Sequence, residues 1–108
     1  MSEREPTEEE IARELANELL KLKIEDVLIQ TLITISSIGY RRLGLTPETK
    51  DNRDLVQAQL AIDTMRALTP VLAKVIPGEM LREFNQSIAS LQLAYAKASA
   101  EKQTNDDR

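Results

Sequence analysis

The segment from Ile24 to Leu43 constrains the fold more than any other part of the chain. On a helical wheel at about 100° per residue, Asp26, Gln30, Thr34, Ser37 and Arg41 form one narrow polar stripe. Almost everything else is apolar: Val27, Leu28, Ile29, Leu32, Ile33, Ile35, Ile38, Tyr40 and Leu43. A helix that is apolar over most of its circumference must be covered from more than one side. It is therefore expected to be the central helix of the fold or part of an oligomer interface. Its apolar surface exceeds what one neighbour covers, which predicts a homo-oligomer. The many Ile, Val and Thr residues make a strand the competing reading. The length of the run and its lack of strict alternation favour the helix. Gly44 is the natural stop, because glycine accepts the left-handed conformation just past a helix end.

The rest of the chain supplies neighbours for that helix. Thr7-Glu8-Glu9-Glu10 is a capping-box pattern, with the Thr hydroxyl able to accept from the backbone at Glu10. Ile11, Leu15, Leu19 and Leu22 then recur at spacings of 4, 4 and 3, one face of a helix from Thr7 to Lys23. Leu45 to Asn52 reads as a loop, and Asn52 or Asp54 can cap a third helix. Leu55, Ala58, Ile62, Met65 and Leu68 form its buried face. Thr69-Pro70 interrupts that pattern, since proline removes a backbone donor and crowds the preceding turn. The third helix is expected to break or kink there. Pro77-Gly78 is a further break. A last helix from Glu79 to Ala100 carries a narrow seam of Met80, Leu81, Phe84, Ile88, Leu91, Tyr95 and Ala98. Such a seam suits antiparallel packing in a bundle, or contact with another chain.

These readings predict an all-α fold, a small bundle of about four helices. One helical domain spans residues 7–100, between a disordered acidic tail at 1–6 and a polar tail at 101–108. A chain of 108 residues fits one small domain. Its only aromatic residues are Tyr40, Phe84 and Tyr95, so the core must be aliphatic.

Composition excludes much chemistry. The sequence has no cysteine and no histidine. Disulfides, thiolate nucleophiles, imidazole bases and zinc sites of the usual N/S type are ruled out. Ser36 and Ser37 lie inside the second helix with no activating base placed by any motif. No calcium-type loop is present. The expectation is a protein that is not an enzyme and takes no metal or cofactor. The start MSEREPTEEE is acidic and polar, unlike a secretory signal. The most apolar run, 14 residues from Val27 to Tyr40, is shorter than the roughly 20 that a membrane span needs. The chain is expected to be cytoplasmic, with no membrane partner.

The formal net charge of −4 is unevenly spread. Residues 1–20 hold seven acids against two bases, whereas residues 21–53 hold six bases against four acids. An acidic balance disfavours general nucleic-acid binding, where Lys and Arg must neutralise phosphates.

Several of these features together resemble a small bacterial family, the domain-of-unknown-function family 1844. They are the apolar helix ending in Leu43-Gly44-Leu45, the series Leu55, Ala58 and Ala61-Ile62-Asp63-Thr64-Met65, and the Leu91 to Tyr95 ending. The resemblance covers Ile24 to Ala98. It implies an all-helical, single-domain cytoplasmic protein with no established activity. Relatives often carry a Lys-Thr-x-Gly-Asn-like turn between the third and last helices. Here VLAKVIPGE, Val71 to Glu79, stands in that place. The resemblance also implies gene neighbourhoods that include translation genes, which suggests an accessory translation factor as the alternative function.

Two sets of residues are candidates for a functional surface. Arg41 and Arg42 end the second helix, where cations meet the free carbonyls favourably. With Lys50 and Arg53 they also form a small basic patch for an acidic partner or RNA, although no aromatic is interleaved for base stacking. Leu28, Leu32, Ile35, Gly39 and Leu43 of the second helix, with Phe84, Ile88, Leu91 and Tyr95 of the last, are the candidates for self-association. Gly39 favours a close helix crossing. Glu10, Glu14 and Glu18 form an acidic ridge, either a solvated face or a dock for a basic partner. Asp63 is expected to pair with Arg66 one turn on, or with Arg41 or Arg42.

Overall fold

The structure is a computed structural model and describes residues 4–106. Met1 to Glu3, half of the expected acidic tail, and the last two residues of the expected polar tail lie outside the described residues. Four helices follow one another: α1 (Glu8–Lys21), α2 (Ile24–Arg42), α3 (Leu55–Leu72) and α4 (Gly78–Asp106). A short 3-10 turn at Lys50–Asn52 lies between α2 and α3. The described residues contain no strand.

The ends of the helices follow local chemistry. Thr7 caps α1, its hydroxyl accepting from the Glu10 N–H at 3.1 Å. Arg4 reaches Glu10 at 2.6 Å, so part of the expected tail is tied to the helix start. Thr31 and Thr34 are tolerated inside α2 because their hydroxyls donate to the Val27 and Gln30 carbonyls one turn back. Gly44 stands at φ +64°, the left-handed stop that ends α2. Of the two possible caps for α3, the chain uses Asp54, whose carboxylate accepts from the Gln57 N–H at 3.1 Å. α3 runs without a break through Pro70 and ends two residues later at Leu72. Pro70 thus sits in the final turn, where its missing N–H leaves the Arg66 carbonyl without its helical partner. α4 continues through Glu101 to Asp106, so most of the residues expected to form a polar tail are helical.

The core is aliphatic and belongs to three helices. Leu32 of α2 and Leu43 just past its end, Ile62, Met65 and Leu72 of α3, and Leu91 of α4 are almost fully buried. The α2–α3 contact is the most extensive, α3–α4 is next and α2–α4 is the smallest. Gly39 marks the closest approach. A Cβ built there would meet Ala61 Cβ at 2.9 Å and Leu91 Cδ2 at 3.6 Å, so all three helices converge at this point.

α1 is different: none of its residues is buried. Leu15 and Leu19 are 60% and 68% exposed. The connecting Leu22 and Lys23 are both extended, with ψ of 138° and 145°, and α1 packs on no other helix to any extent. The radius of gyration is accordingly 19.4 Å, against about 13 Å for a compact chain of this length.

Candidate functional site

The four candidate basic residues separate into two groups. Arg53 is anchored inside the chain, its side chain only 17% exposed. Its Nε donates to the Leu43 carbonyl at 2.8 Å, and one Nη donates to the Gly44 carbonyl at 3.1 Å. The same Nη meets Glu101 of α4 at 2.8 Å. Gly44 allows this approach, because a Cβ there would stand 2.7 Å from Arg53 Cβ. Arg53 therefore caps the free carbonyls at the end of α2 and ties the loop to α4.

Arg41, Arg42 and Lys50 are exposed. Arg42 makes one long contact to the Asn52 carbonyl, 3.4 Å. Among the described residues, none of these three cations is paired with a carboxylate. Lys50 and Arg53 line an open cleft of about 720 Å³, together with Lys97, Glu101 and the hydroxyl-bearing Thr46 and Thr104. Arg41 and Arg42 are not part of it. Lys97 is a residue the sequence reading missed. Its position on α4 opposite the loop depends on how the helices pack, and no local motif marks it.

The candidate self-association residues are mostly occupied within one chain. Leu32, Gly39, Leu43, Phe84, Ile88 and Leu91 are buried, and Leu28, Ile35 and Tyr95 are half-buried against them. The apolar residues left in solvent are others. They include Ile11, Leu15, Leu19 and Leu22 around α1, Val27, Ile33 and Ile38 on α2, and Val56, Leu60 and Val71 on α3. The wheel of α2 contained this information in its excess of apolar positions. It could not say which of them the chain itself covers.

Asp63 accepts a hydrogen bond from the Gln59 amide at 2.8 Å, rather than pairing with an arginine. It borders a second open cleft with Tyr95, Ser99 and Lys102. Among the described residues no group of three or more acidic side chains is placed to hold a metal ion, and no helix is long and apolar enough to cross a membrane. No protein-family model, curated protein or solved structure matches this chain.

Proposed function

We propose that this chain is a non-enzymatic self-assembly and protein-interaction module that works as a homo-oligomer. The observation that supports this reading most directly is α1, an amphipathic helix with no residue buried in its own chain. Scattered exposed apolar side chains are ordinary, but a continuous stripe marks a contact surface. The excess apolar surface of α2 supports the same reading. Static light scattering over a concentration series tests the proposal. A mass above that of one chain in the micromolar range is expected, and a monomer at several hundred micromolar rejects it.

A second reading draws on the unpaired cations. Arg41, Arg42 and Lys50 leave positive charge at one end of an otherwise acidic molecule, the arrangement an accessory translation factor would use to touch RNA or an acidic partner. It expects RNA binding that falls steeply with salt and is lost in the Arg41→Ala/Arg42→Ala double variant. Equal binding by that variant rejects the patch.

A further inference from the structure

Part of the exposed apolar surface of α2 and α3 forms one strip. Where the two helices lie together, Ile35 and Ile38 face Leu60, Ala61 and Thr64 across a groove of about 180 Å³. Ile38 and Leu60 are 48% and 56% exposed. Eleven residues before Ile38 on α2 stands Val27, and eleven after Leu60 on α3 stands Val71. Eleven residues are about three helical turns, so each pair repeats on the same face. Because α2 and α3 run antiparallel, the two pairs bracket the strip at its ends. Between them lie Thr31, Thr64 and Leu68, uncharged and half-buried.

α1 matches this strip in length, chemistry and charge. Its apolar residues run from Ile11, Leu15 and Leu19 in the helix to Leu22 just past its end, again an offset of eleven, and are wholly aliphatic. Its first turn is acidic, Glu8 to Glu10, and its last turn carries Lys21. α2 has the same order, with Glu25 and Asp26 in the first turn and Arg41 and Arg42 in the last. A helix laid antiparallel to α2 along the strip would bring each charged turn of α1 onto one of opposite sign. Lying parallel would oppose like charges at both ends. The ion pairs this would displace, Arg4–Glu10 and Lys21–Glu18, are exposed, and such pairs contribute little.

The chain's own α1 is held off by the extended Leu22–Lys23 connector. We infer that α1 of one copy docks antiparallel to α2 on the α2–α3 strip of a second copy, reciprocally, so that each three-helix core gains a fourth helix from its partner. This inference rests on the self-association reading and names its surface.

The chain lacks cysteine, so introduced thiols report without background. The double variant Ile11→Cys/Leu60→Cys, oxidised at micromolar concentration, is expected to give a covalent dimer on a non-reducing gel, since antiparallel docking sets Ile11 at the Ile38–Leu60 end of the strip. A monomer with an internal disulfide would show that α1 folds onto its own chain and would overturn the exchange. Free thiols, in a chain that light scattering shows to be oligomeric, would overturn the exchange while leaving self-association in place. A wild-type chain that is monomeric would remove both. As a second readout, Leu15→Glu/Leu19→Glu is expected to weaken association by about a hundredfold or more, since two leucines lose their burial. Neither residue is buried in its own chain, so the thermal transition at low concentration should survive. Association weakened less than about threefold, or about 0.65 kcal/mol, would reject α1 as the docking element.

Discussion

α1 and α4 carry the same kind of pattern and meet opposite fates. In α4, Phe84, Ile88, Leu91 and Ala98 recur at helical spacing and are buried against α2 and α3. In α1, Ile11, Leu15, Leu19 and Leu22 recur just as regularly, and all stand in solvent. Periodicity therefore states that a face is made for burial and leaves open what buries it. The difference lies in the connectors. The turn after α3 returns the chain across the core, whereas the extended Leu22–Lys23 step sends α1 outward.

The sharpest way to break this comparison is to make one substitution in both helices. Leu91→Ala, at a fully buried site, is expected to destabilise the chain by about 2–5 kcal/mol. Leu15→Ala, measured by urea unfolding in dilute solution, is expected to stay within about 0.5 kcal/mol of wild type. A large loss at Leu15 under those conditions would mean that α1 contributes to its own chain after all. Next in size is Gly44→Ala. Its left-handed backbone and the crowding against Arg53 are expected to cost about 2 kcal/mol in the same assay, confirming that the core depends on how α2 ends.

Thr69 offers a change of opposite sign. Its hydroxyl is buried with no hydrogen-bond partner, so Thr69→Val is expected to stabilise the chain by about 1 kcal/mol, read as a raised unfolding midpoint. No gain would mean that the hydroxyl finds a partner such as bound water. A modest loss is expected at Glu101, nearly half exposed. Glu101→Gln should cost below about 1 kcal/mol, and the loss should shrink further in high salt.

Most of the fold was legible because it is written in local signals. Thr7, Gly44 and Asp54 mark helix ends through backbone chemistry that acts within a few residues. The seam of α4 and the buried face of α3 follow from spacing alone. Pro70 marks a break or kink in the sequence, and α3 continues through it for its last two residues. The polar sequence after Ala100 reads as a tail until Arg53, 48 residues earlier, is seen to hold Glu101. The surface was the least legible part. Leu32 and Leu91 look like interface residues on a wheel, and only the packing of three helices shows them to be core. Ile38 and Leu60 then become visible as a pair.

The position of Arg53 also bears on the order in which the chain can assemble. Synthesis delivers α2, the loop and α3 before α4. Two of the three contacts of Arg53, to Leu43 and Gly44, lie within that first segment. The α2–α3 hairpin can thus close and cap itself while α4 is still being made. Glu101 then reaches a guanidinium already held in place, and the terminal turns of α4 lock onto a loop whose shape they had no part in setting.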